Sequence, residues 1–278
     1  MAPMALHPRV SVNAISSMNW TLQQDLAFYN EQGYGNVGLL YIKLTGMQPG
    51  GLAAAVDAIR AADLRLSCMA CHRADLVAMP LEGQPAMAFY KPAIDTAAAL
   101  GCPACYTVSG PLPKGMQTDE AYDRLAKTLT PVVAYARSKG VSFALEHNSV
   151  GTRDNGFVHS LADAIWLSKE CGIDICLELQ NCWVERDLKR MFRDHLGRIS
   201  VVQFSDFKVG ENLRYNRFVP GDGDIPLEWL LGTLLEVGYK GFFDLEFLGP
   251  RIEEEGYASA IRRGVDWLSE RLARWGVK

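Results

Sequence analysis

Three glutamates stand where a solvated charge does not belong: Glu146 in ALEHN, Glu178 in CLELQ and Glu246 in DLEFL. Each is flanked by apolar residues in a strand-like run. A carboxylate buried there without a partner is costly enough that it normally pairs, takes up a proton or ligates a metal. A fourth run, VVQFSD, carries Gln203 in the corresponding place, and the separations of 32, 25 and 43 residues fit one position from each of four consecutive strand-helix repeats. A salt bridge could account for any one glutamate. The strand runs hold few basic residues, however, so the three together point to one divalent cation. Three carboxylates and an amide offer only oxygen, a donor set that favours Mn or Mg and leaves Zn or Co open.

Short apolar or β-branched runs alternate with longer amphipathic segments along the whole chain, which predicts a parallel sheet with crossover helices. Eight strand candidates can be counted, at 10–15, 36–44, 65–72, 104–110, 142–148, 174–183, 198–207 and 241–249. Between them lie helical patterns with start and stop signals. Ser160 with Asp163 has capping-box spacing, Thr118 precedes Asp119 and Glu120, and Gly33 and Gly172 follow helical stretches. Eight such units predict a single (β/α)8 TIM barrel over residues 1–278, with the four oxygen-bearing side chains at the C-terminal mouth where this fold keeps its chemistry.

The 278 residues, 49% hydrophobic and 22% charged, suffice for one large core. A formal net charge of −4 gives no basic field for a phosphate backbone, so a nucleic-acid partner is not expected. The chain holds no apolar run of membrane-spanning length, so no membrane partner is expected either, and cytoplasm is the default location. A homo-oligomer stays open. Seven cysteines without a secretion signal read as free thiols. Cys68 and Cys71 lie three apart in a strand-like run and point to opposite faces, while Cys102 and Cys105 come near the start of the next strand, so buried structural thiols are expected rather than a zinc site.

The stretches ALEHN, CLELQN, VQFSD, R-x-x-PGDGDIP and GYKGFFDLEF resemble the sugar phosphate isomerase/epimerase group of xylose isomerase-like barrels, and the resemblance runs over essentially the whole chain. It implies a metal set on Glu146, Glu178, Gln203 and Glu246. Glutamate stands at 178 where the family commonly has aspartate, and glutamine at 203 where it commonly has histidine; the hydroxypyruvate isomerase branch is similar in using glutamine. The resemblance further implies that Glu146 and Glu246 are the acid/base pair and that Asn181 and Arg217 contact substrate. Two such carboxylates could take a proton from one face of a hydroxy-ketone and return it to the other face or to the neighbouring carbon, through an enediolate that a metal stabilises. Arg217 taken alone reads equally as a solvated loop charge. His72 and His147, at strand ends, are candidates for substrate contact against the commoner structural role. Trp20, Tyr106, Trp183 and Phe207 could wall a pocket or pack in the core.

These residues imply an isomerase or epimerase of a keto-sugar, cyclitol or related hydroxy-ketone. The same machinery serves a lyase or dehydratase if the enediolate expels a β-leaving group, and a barrel without activity could serve as a binding subunit. An abasic-site nuclease is disfavoured, because it needs several histidines and a basic face. No Gly-rich, lysine-bearing phosphate cradle is present, and Asp222 and Asp224 in PGDGDIP are expected to repel phosphate, so an unphosphorylated small-molecule substrate is expected.

Overall fold

A computed structural model describes residues 6–46, 50–71, 86–211 and 214–278. The strand-like runs become eight parallel strands: β1 Val10–Asn13, β2 Asn36–Leu40, β3 Arg65–Ala70, β4 Ala104–Val108, β5 Ser142–Glu146, β6 Asp174–Glu178, β7 Ile199–Phe204 and β8 Phe243–Leu245. Each pairs with the next, and β8 pairs with β1, so the sheet closes into a barrel. Closure removes the sheet edges, and parallel strands covered outside by helices need apolar residues on both faces. That is why the strands read as nearly continuous apolar runs.

Several sequence candidates end earlier than their hydrophobicity suggests. The run at 36–44 leaves the sheet at Leu40 and turns into the short helix Tyr41–Thr45, and the run at 174–183 leaves it at Glu178 and turns into the helix Leu179–Cys182. Apolar runs of this length do not distinguish a strand from a strand followed by one buried helical turn. In the second case Glu178 itself starts the helix, its Oε1 accepting the Gln180 N–H at 3.0 Å.

Helix boundaries follow local chemistry. Ser160 Oγ accepts the Asp163 N–H, and Gly172, at φ 75°, ends that helix in the left-handed region glycine enters without a Cβ penalty. The helix at 118 starts without a side-chain cap from Gln117. One large apolar cluster fills the space between barrel and helices, and a smaller one, containing Ile15, Leu40, Cys68, Tyr106 and Cys176, fills the barrel interior. All seven cysteines are buried free thiols. Among the described residues no helix is long and apolar enough to cross a membrane.

Candidate functional site

Glu146 is the last residue of β5, Glu178 the last of β6, and Glu246 follows β8 directly. Strand ends of a tilted, closed barrel converge on one mouth, and these three side chains offer oxygen atoms within 4.8 Å of one another. All three are buried. Gln203 on β7 is opposite Glu178 in register and also buried.

A cation already faces them. Arg217, from the loop after β7, points its Nη1 at Glu178 Oε2 at 2.5 Å, and its Nη2 lies 3.8 Å from Glu246 Oε1 and 4.0 Å from Glu146 Oε1. The guanidinium also donates to Ser205 Oγ at 2.9 Å. The basic partner thus comes from a loop, where inspection of the strand runs could not find it. One guanidinium does not neutralise three carboxylates. Burial pushes the Glu146 carboxyl up to about 8, with Glu178 acting in the same direction and Arg217 against it. Burial and the neighbouring Glu146 raise Glu246 well above the usual carboxylate range despite Arg217. Arg217 loses solvation too, but Glu178, Glu246 and Glu146 more than offset that and hold it charged. Buried carboxyl groups gathered this closely hold protons when they face a single guanidinium, and a divalent ion that displaces those protons fits the cage, with Glu146, Glu178 and Glu246 able to hold it.

Gln203 is oriented otherwise. Its amide nitrogen donates to Glu246 Oε2, and its oxygen accepts the Cys176 thiol at 3.0 Å. Offering oxygen to the cage requires the amide to turn over, which exchanges these two contacts.

A cavity of about 450 Å³ opens above the cage, lined among others by Glu146, Glu246, Arg217 and Asn181. Its remaining lining includes apolar Ile15, Leu40 and Leu248, at or just past the ends of β1, β2 and β8, and polar Asn148, Asn155 and Asn216, from the loops after β5 and β7. Asn181, on the short helix after β6, is fixed by its Nδ2 donating to the His147 carbonyl at 2.7 Å. His147 itself is buried outside the lining, and burial holds its ring neutral, with a pKa down to about 4. His72 lies outside the described residues. Of the four aromatic candidates, Phe207 lines the cavity. Trp20 packs edge-on against Phe28 and Tyr257, Trp183 packs on the outer core, and Tyr106 is buried below Glu246 with its hydroxyl 2.9 Å from Oε2.

The expectation for Asp222 and Asp224 is corrected. Asp222 turns outward to Arg263 at 2.6 Å and Asp224 accepts the Val209 N–H at 2.8 Å, so neither lines the cavity. Among the described residues the two basic side chains on the lining, Arg214 and Arg217, are already on carboxylates, Asp154 and Glu178.

The sequence reading also missed Asp206. Its carboxylate accepts four backbone N–H groups: Phe207 at 2.9 Å, Gly221 at 2.9 Å, Gly223 at 3.0 Å and Ile225 at 3.1 Å. Asp206 also exchanges both backbone hydrogen bonds with Phe218, so Arg217 leaves from a loop pinned to the end of β7. Gly223 fits because a Cβ there would stand 2.4 Å from Asp206 Oδ1. The available signal was the pair VQFSD and PGDGD, an aspartate ahead of a glycine-rich turn full of free N–H groups.

A family model described as a xylose isomerase-like TIM barrel matches residues 26–271. The chain is 26% identical over 188 residues to a 2-oxo-tetronate isomerase of Haemophilus influenzae, an alignment covering 64% of this chain and 65% of that protein. Among solved structures it superposes on the IOLI protein with a bound zinc atom, with a TM-score of 0.78 at 16% identity over 96% of this chain and 99% of that one. It also superposes on the 3-keto-D-glucoside 4-epimerase of E. coli, with a TM-score of 0.75 at 16% identity over 94% of this chain and 99% of that one. At such identities these structural likenesses establish the fold.

Proposed function

The chain belongs to the xylose isomerase-like TIM barrel family, and from that we propose a divalent-metal-dependent isomerase or epimerase of an unphosphorylated keto-sugar, cyclitol or related hydroxy-ketone. The observation that carries this reading is the buried cage of Glu146, Glu178 and Glu246 at the floor of the cavity. Its likeness to an isomerase of a 2-oxo acid sugar supports the reaction class, and its fold relative with bound zinc supports a metal.

When bound, a divalent cation held by the three glutamates, with Gln203 as a fourth donor, supplies Lewis-acid polarisation of the ketone. Glu146 and Glu246 supply proton transfer. They come from strands three apart around the barrel, so their carboxyl groups approach a substrate from different sides. One removes the proton next to the ketone, and the other delivers a proton to the opposite face or to the adjacent carbon of the resulting enediolate. Arg217 and Asn181 hold substrate oxygens. The asparagines of the lining take hydroxyl groups and its apolar residues take the C–H surface of the carbon skeleton. The charges of the two basic groups among the described residues of the lining are already met by carboxylates, which supports a substrate without phosphate, while Arg217 Nη2, 3.8 Å from Glu246 and 4.0 Å from Glu146, is the end of the guanidinium that would reach an uncharged substrate oxygen.

The test is an NMR screen of Mn-loaded protein against a ketose, an inosose and a 3-ketoglycoside in deuterated solvent. A new isomer with deuterium at a carbon next to the ketone is the expected result. Absence of any conversion across the panel, with metal shown to be bound, would refute the reading.

A further inference from the structure

Beneath the cage a chain of polar side chains runs across the barrel interior, and its direction is fixed. Asn13, the last residue of β1, accepts the Ile15 N–H on Oδ1 at 3.0 Å. Its amide is therefore oriented, and Nδ2 faces inward. Nδ2 donates to Asp244 Oδ2 at 2.6 Å and to the Tyr106 hydroxyl oxygen at 3.2 Å. A nitrogen that carries only hydrogens makes the Tyr106 oxygen an acceptor on that side. The hydroxyl hydrogen then goes to Glu246 Oε2, 2.9 Å away. Asp244 is held in turn by Ser67 Oγ at 3.0 Å and Cys68 Sγ at 3.4 Å. Asn13, Tyr106 and Asp244 are all essentially inaccessible to solvent.

The space for this chain comes from β2. A Cβ at Gly38 would lie 2.9 Å from both Asn13 Nδ2 and Asp244 Oδ2, closer than side-chain carbons approach such atoms. The register between β2 and β3 also shifts at Val37/Gly38.

We infer that Tyr106 is a positioning residue for Glu246, locked as a hydrogen-bond donor by Asn13 and Asp244, with Gly38 providing the room. The inference rests on the functional reading above. Glu246 Oε2 receives two donors, Tyr106 and Gln203. The Gln203 contact is given up if that amide turns its oxygen to a cation, and Tyr106 then remains to fix the carboxylate. Oε1 is left facing Arg217 and the cage. The role is carried by hydrogen-bond direction alone, since the Tyr106 ring would pack equally well as phenylalanine.

The experiment titrates Mn2+ alone into metal-free wild type, Tyr106→Phe, Gly38→Ala and the double variant, well below their melting temperatures. Loss of a hydrogen bond that orients a metal-ligating carboxylate typically weakens metal binding by about tenfold or more. Tyr106→Phe should weaken Mn2+ binding by at least about that factor, and Gly38→Ala by a smaller factor in the same direction. In the Tyr106→Phe background, Gly38→Ala should then have no further effect on Mn2+ affinity while still lowering thermal stability, because its route to Glu246 is gone. A purely structural role would move stability and leave Mn2+ affinity alone. If Gly38→Ala does not fold, Asn13→Ala takes its place in the same cycle. Wild type that binds Mn2+ and a Tyr106→Phe variant within twofold of it would overturn the inference, as would full additivity in the double variant. Wild type that binds no Mn2+ would instead remove the metal reading, and the inference with it.

Discussion

Arg217 and Glu178 meet at 2.5 Å in the floor of the cavity, a buried ion pair between the loop after β7 and the end of β6. Among the described residues Arg217 is also the basic group whose charge reaches Glu146 and Glu246, so the stability of the metal-free cage depends on it. Removing one partner of a buried pair leaves an uncompensated charge and typically costs about 3 to 5 kcal/mol. Arg217→Met is accordingly expected to lower the unfolding free energy of metal-free protein by at least about 3 kcal/mol in urea titrations. A loss under about 1 kcal/mol, the range of an exposed pair, would contradict this assignment.

Metal removal should act on both stability and turnover. Chelation is expected to abolish activity, Mn2+ to restore it, and Mn2+ at a hundred times its dissociation constant to stabilise the fold by about 2.7 kcal/mol. Full turnover in protein that elemental analysis finds free of metal would end the proposal.

Gln203 offers a sharper probe of ligand identity. As a ligand it contributes amide oxygen, which suits Mn or Mg, whereas imidazole nitrogen at the same position favours softer ions. Gln203→His should move the order of metal affinities toward Zn and Co. If competition titrations return the wild-type order, Gln203 does not belong to the ligand set.

Proton transfer can be assigned by substitution at the two carboxylates. Glu146→Gln and Glu246→Gln each keep an oxygen in the cage and remove a base, so turnover should fall by about a hundredfold or more in either. The two variants should differ in deuterated solvent. The one retaining the carboxylate that faces the substrate C–H should still exchange deuterium into that carbon without forming product; the other should do neither. Near-normal turnover in both would rule out a two-carboxylate mechanism.

Much of this protein could be read along the chain because the barrel is periodic. Parallel strands buried on both faces are apolar throughout, so an ionisable residue inside one is conspicuous, and Glu146, Glu178 and Glu246 stand out for that reason. Alternation along β8 could also have exposed Asp244, two residues before Glu246 and on the same side of the strand. What the chain could not reveal depends on groups brought together from distant positions. The Arg217 guanidinium reaches the cage because Asp206 gathers three N–H groups of a later turn, those of Gly221, Gly223 and Ile225. His147 is one residue from Glu146 yet lies outside the cavity lining. The direction of the bonds linking Asp244, Asn13, Tyr106 and Glu246 follows from the orientation of one amide, fixed by a backbone N–H two residues further on. Residue type and spacing thus determined the barrel and its carboxylates, because burial acts on each strand separately; charge balance and hydrogen-bond direction were decided only by closure, which sets β8 beside β1 and lets their side chains meet that of Tyr106 from β4 across the barrel interior.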